Sequence, residues 1–260
     1  MIEKQKLPTD RAAIEVLVAK LKQHSRLPSE DASVLHTLRP RVARLERDQD
    51  IVRQGDKPNS AVMVLSGMLA RYQTVPNGNR QYLSLHIAAD LPDLQSLFLG
   101  RMDHSLCAID RAEIAMLPHS QLLAAFTRSP RLTVSLWRQT LIDSAIFRQA
   151  ITNIGSRTTV ERVAHLFCEQ LSRARDAGLN DDNSCSFPLN QTQIGQLLGM
   201  SLPTTNRAIQ QLRSCAQIRS DRIEVSDWKA LTKIAGFDAA YLQQTGARVM
   251  KTDRAFASAK

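Results

Sequence analysis

The sequence predicts an α+β chain in which an antiparallel β roll is followed by one long helix and then by a smaller, mainly helical unit. Three observations carry this. Between Arg41 and about Leu117 the apolar residues alternate in short runs broken by turn signals, the pattern of several short strands in series. From Pro130 to Ile154 the apolar residues fall at helical spacing and point almost all round the axis, so that helix must be covered on more than one side. From Gln191 to Leu212 two short helical patterns meet at a glycine.

The elements follow in order. Ile14, Leu17, Val18 and Leu21 stand at helical spacing, and Ser29-Glu30-Asp31 offers an N-cap with acids in the first turn ahead of Val34, Leu35 and Leu38. The strand runs are Val42 to Leu45, Ile51 to Val52, Ala61 to Leu65, Met68 to Tyr72, Leu83-Leu85-Ile87, Leu106 to Ile109 and Ile114 to Met116. Gly55-Asp56, Ser66-Gly67 and Pro76-Asn77-Gly78-Asn79 are the turns between them. In the long helix one apolar face suits the β region and another suits a second copy of itself, which predicts a homodimer. After Gly155-Ser156 a helix runs from Val160 through Leu171 to a loop from Asp176 to Ser186. The expected divisions are 1–129 (helices and β roll), 130–154 (dimerisation helix), 155–243 (second domain) and 244–260 (a basic tail expected to be poorly ordered).

Composition bounds the function. The 260 residues contain 43% hydrophobic and 23% charged side chains, as globular chains do. No apolar run approaches the ~20 residues of a membrane span, and the N-terminus has no apolar signal core, so a cytoplasmic protein without a membrane partner is expected. Cys107, Cys168, Cys185 and Cys215 show no metal-ligand spacing; neither a metal nor a cofactor is expected. The balance of 34 Lys and Arg against 25 acids gives +9 and a pI near 9.8, which suits a polyanionic partner.

The stretch Gln191 to Leu212 is the informative one. Two helices crossing steeply need a small residue where their backbones approach, a glycine in the turn and a shared apolar face. Gly195, Gly199 and the set Ile194, Leu198, Met200, Ala208, Ile209 and Leu212 supply them. Ser201 is placed to cap the second helix, and Pro203 in its first turn lacks only an N–H without an intrahelical partner. The outer face is then Pro203, Thr204, Asn206, Arg207, Gln210 and Gln211. Arg pairs bidentately with guanine, and Asn or Gln with adenine, while Pro203 and the Thr204 methyl suit a thymine methyl. Pro203, Thr204, Asn206 and Arg207 are the expected base readers of double-stranded DNA. Gln191, Thr192, Ser201 and Thr204, beside the two helix N-termini, are the expected backbone contacts. Ile218 to Val225 alternates about a tight turn, as a wing does.

On these residues the chain resembles the Crp-Fnr family of bacterial transcription regulators over roughly residues 30 to 243. The specific matches are Phe187-Pro188-Leu189-Asn190-Gln191, the run from Gly199 to Arg207, and Phe237-Asp238-Ala239-Ala240-Tyr241-Leu242, with weaker ones at Gln54-Gly55-Asp56 and Leu65-Ser66-Gly67. The resemblance implies a cyclic-nucleotide-binding-domain-like β roll, a dimerisation helix, a winged helix on a palindromic site, and contact with RNA polymerase. Two features depart from it. Cyclic AMP-binding members carry a Gly-Glu pair and, about ten residues later, Arg with Ser or Thr; here Ala89 to Leu94 and His104-Ser105 stand in those places, with Arg101 out of register. Members with an iron-sulfur cluster use cysteines near the N-terminus, and none precedes Cys107. The expected function is therefore a DNA-binding regulator whose effector is not cyclic AMP, or that has none. The alternative is a small-molecule sensor that binds DNA only when liganded. Catalysis by Asp103-His104-Ser105 is disfavoured because neighbours on a strand face opposite ways.

Overall fold

A computed structural model describes residues 7–244. Two N-terminal helices, α1 (Asp10–His24) and α2 (Ser29–Leu35), precede seven strands: β1 (Arg41–Leu45), β2 (Asp50–Val52), β3 (Ser60–Ser66), β4 (Leu69–Thr74), β5 (Arg80–His86), β6 (Ser105–Ala108) and β7 (Ala112–Pro118). They form two antiparallel sheets, ordered β1-β7-β3 and β2-β6-β4-β5. Each predicted strand run is found. The helix α1 is capped by Thr9, whose hydroxyl accepts from the Ala12 N–H, but α2 is not capped as expected. Ser29 is its first helical residue, preceded by Pro28 without a side-chain cap; proline fixes the turn into the helix without needing one.

A helix not foreseen, α3 (His119–Arg128), leads directly from β7 into α4 (Pro130–Ser156). Leu122 and Ala125 of α3 and Leu132 and Leu136 of α4 join α1 and α2 in one apolar cluster under the β1-β7-β3 sheet. The predicted coverage of the long helix on every side is only half present within one chain. Val134, Trp137, Leu141 and Ile151 lie exposed, Trp137 at 63% and Ile151 at 72%.

Beyond it come α5 (Thr159–Asp176), β8 (Asn180–Asp181), β9 (Ser184–Ser186), α6 (Gln191–Leu198), α7 (Leu202–Gln211), β10 (Ala216–Arg219), β11 (Arg222–Val225) and α8 (Trp228–Ala235). A reciprocal Thr158–Glu161 capping box starts α5. The segment read as a loop, Asp176 to Ser186, is a hairpin that extends the wing into a four-stranded sheet β10-β11-β9-β8; its polar residues face water and conceal the strands from an apolar pattern. The two halves share one apolar cluster, in which Tyr82 and Leu85 of β5 meet Phe167 of α5 and Leu197 of α6. The tail expected over 244–260 lies, apart from Gln244, outside the described residues. No described helix is long and apolar enough to cross a membrane.

Candidate nucleic-acid interface

The crossing of α6 and α7 is built as its residue types require. A second reciprocal capping box, Asn190 with Gln193, starts α6. Gly199 ends it at φ 64°, a left-handed conformation that costs glycine nothing. The Met200 N–H then donates to the Gly195 carbonyl at 2.9 Å. A Cβ on Gly195 would stand 2.6 Å from the Met200 carbonyl oxygen, so a glycine is needed where the two backbones meet. Ser201 caps α7 by accepting from the Thr204 N–H.

Ile194, Leu198, Ala208, Ile209 and Leu212 are buried, and Met200 packs against them. Pro203, Arg207, Gln210 and Gln211 are exposed, with Thr204 and Asn206 at the edges of that face. Gln191, Thr192 and Ser201 are exposed at the two helix starts. All the residues expected at DNA are therefore at least partly accessible on α6, α7 and the turn between them. The guanidinium of Arg207 rests on its own helix, Nε donating to the Pro203 carbonyl at 3.3 Å. Sequence reasoning missed Thr205, wholly buried, whose hydroxyl donates to the Ser201 carbonyl at 3.0 Å. Its place on the inner face between Ser201 and Ala208 is the signal that locates it.

The β roll holds a second polar cluster. Asp93, on the cassette-like stretch, is fully buried; its Oδ1 accepts from the Val62 N–H at 2.6 Å, and burial pushes its carboxyl up to about 7. His104 is buried, its Nδ1 2.7 Å from Asp103 Oδ1, and its Nε2 has no partner among the described residues. Desolvation lowers its pKa, so it is a neutral imidazole. Contrary to the strand geometry expected from sequence, Asp103 and His104 precede β6 in a bend, where their side chains meet. Ser105 instead accepts from the Gln54 N–H at 3.0 Å. Arg101 reaches the Gly55 carbonyl at the surface.

A cation does stand inside the roll, contributed by β4. Arg71 is 2% exposed. Its Nε donates to the Pro92 carbonyl at 2.6 Å, its Nη1 meets Asp143 of α4 at 2.7 Å, and its guanidinium lies 5.2 Å from the Phe147 ring centroid. The charged residue amid the apolar run Met68 to Tyr72 was the available signal. The same geometry ties sensor-like roll to long helix. Arg173 of α5 likewise clamps Asp90 at 2.5 Å, a carboxyl whose pKa falls to about 2 as Arg173 and Lys20 outweigh its burial. All four cysteines are free and buried, and burial raises the Cys107 thiol to about 12.

A β roll joined through one long helix to a winged helix-turn-helix defines a two-domain regulator architecture. The Cyclic nucleotide-binding domain family matches residues 42–129, and the Crp-like helix-turn-helix domain family matches residues 161–234. The transcriptional activator protein FnrL of Cereibacter sphaeroides is 25% identical over 208 residues, covering 74% of this chain and 79% of that protein. The transcriptional activator protein FnrA of Stutzerimonas stutzeri is 21% identical over 212 residues, covering 81% and 86%. Among solved structures, FixK2 of Bradyrhizobium japonicum has the same fold at a TM-score of 0.67 and 21% identity, covering 77% of this chain and 99% of that one. The chain belongs to the Crp-Fnr family of transcription regulators.

Proposed function

We propose that the chain binds an inverted-repeat operator in double-stranded DNA as a homodimer, α7 of each copy reading a major groove, and that its effector is not cyclic AMP or that it has none. The observation that carries this is the outer face of α7, where hydrogen-bonding side chains are exposed or half exposed while the inner face is buried. Arg207, Asn206, Thr204 and Pro203 read base edges, Arg207 taking a guanine. Gln191, Thr192, Ser201 and Thr204 hold phosphates, since helix N-termini present free N–H groups and a positive dipole end.

The dimer forms along α4. Val134, Trp137, Leu141 and Ile151 stand at positions of a heptad seam, three, four and ten residues apart, and an exposed apolar stripe of this kind is what a two-helix seam buries. The recognition helices then enter grooves about 34 Å apart. The relatives' printed names as activators support contact with RNA polymerase, in the cytoplasm, and a non-enzymatic role. Selection from random DNA tests the proposal: an enriched inverted repeat with about 10 base pairs between half-site centres is expected. An unpatterned pool overturns it.

A further inference from the structure

A cavity of about 340 Å³ lies where β5, α4, α5 and α6 converge, away from the cassette-like stretch. Its walls are apolar, with Leu85, Phe147, Ala150, Leu166 and Leu198 among them, and its size is that of a small-molecule site. Two buried amides also line it. Gln170 is 2% exposed, and neither its Nε2 nor its Oε1 has a hydrogen-bond partner among the described residues; the Oδ1 of buried Asn153 is likewise unpartnered. Leaving a buried polar atom unpaired costs about 1–3 kcal/mol, and a ligand in the cavity that drew these two side-chain amides round to its surface would supply the missing partners.

The lining defines that ligand. Neither Lys nor Arg is among the lining residues, so an anion would enter unpaired. The only carboxyl in the wall, Glu169, accepts from the Tyr241 hydroxyl at 2.7 Å and stands 3.8 Å from Arg173; it needs no cation. His165, also in the wall, is held at about 4 by burial and is neutral. A carboxamide with both donor and acceptor free matches a group that presents the same two functions.

We propose that this cavity binds an uncharged, mainly apolar molecule carrying an amide, which pairs with the Gln170 carboxamide and donates to Asn153 Oδ1. Isothermal titration of the full chain with three matched probes tests it: 2-naphthamide, 2-naphthoate and 2-naphthylmethylammonium. Saturable binding of the amide at one site per chain is expected, with each charged probe at least about tenfold weaker. Gln170→Leu, which removes two unpaired buried atoms and so keeps the fold, should weaken the amide by about tenfold. Ala150→Phe, which fills the cavity, should abolish binding. No binding of the amide, equal binding of a charged probe, or unchanged binding by Gln170→Leu overturns the proposal. The readout needs no DNA, so it fails or succeeds independently of the operator reading.

Discussion

Replacing Gly195 by Ala tests the helix crossing directly. The new Cβ would stand 2.6 Å from the Met200 carbonyl oxygen and 3.0 Å from Thr205 Oγ1. To reach the 3.4 Å of an ordinary contact, the carbonyl must recede by about 0.8 Å. It cannot do so freely, because the Met200 N–H is bonded to the Gly195 carbonyl and the Thr205 hydroxyl to the Ser201 carbonyl. Overpacking of this kind costs roughly 1–3 kcal/mol, and the helix propensity gained from Gly to Ala returns about 1. The net loss is then about 0–2 kcal/mol, or up to roughly 8 °C in Tm for a chain of this size. The displaced turn also carries the start of α7 away from its groove, so operator affinity should fall more than affinity for unrelated DNA. Thermal unfolding followed by circular dichroism, with DNA titrations at fixed salt, reads both effects. A Gly195→Ala protein as stable as the parent and with full operator affinity would refute the close approach as the reason for glycine.

Arg207→Ala should cost about 1–3 kcal/mol per half-site and relax preference at one base pair; equal loss on every sequence would instead make Arg207 a phosphate contact. Trp137→Glu puts a charge in the α4 seam and should give a monomer in sedimentation at micromolar concentration, with operator affinity at least about tenfold lower; a monomer with full affinity sinks the dimer. Asp93, with a folded pKa near 7 against 3.8 unfolded, binds protons more tightly when folded, so stability falls as pH rises from about 4 to 7. Asp93→Asn should remove that slope and gain up to about 4 kcal/mol at pH 8 relative to the parent; His165, whose depressed pKa acts in the opposite sense over the same window, is common to both proteins, and an unchanged difference across pH would refute the assignment. Adding millimolar cyclic AMP should change operator affinity less than tenfold, and a larger gain restores the cyclic AMP-gated reading.

Legibility differed between the two halves for physical reasons. The helix-turn-helix was readable because each requirement is local: Gly195, Gly199, Ser201 and Pro203 act within a few residues of themselves. The strands were readable from alternation where one face meets the core. The β8-β9 hairpin was not, because Asn180, Asp181 and Ser184 pair at the rim of a sheet whose other strands come from forty residues on. The helix α3 escaped for another reason: it is one short link between two stronger patterns, with a proline on either side. The polar interior of the roll was the least legible. Arg71 finds Asp143 across 72 positions of sequence, and nothing near either residue announces the other.

That pair bears on what the roll can bind. An anion buried here needs a fixed cation, and sequence reasoning found none because it sought one in the cassette. The structure supplies Arg71, but Asp143 and the Pro92 carbonyl already occupy its donors. A bound phosphate would have to displace Asp143 and leave that carboxylate without its partner; because Asp143 is 27% exposed, this costs less than the roughly 3–5 kcal/mol of breaking a fully buried pair. His104, whose pKa burial lowers, offers no compensating charge, and a fully buried carboxyl, Asp93, stands next to Pro92 in the same short stretch. The roll is thus internally neutralised: the cation that an anionic ligand would recruit is spent on holding α4 against β4. Arg71 and Asp143 themselves join the roll to the long helix, which is the physical basis for expecting DNA binding without cyclic AMP.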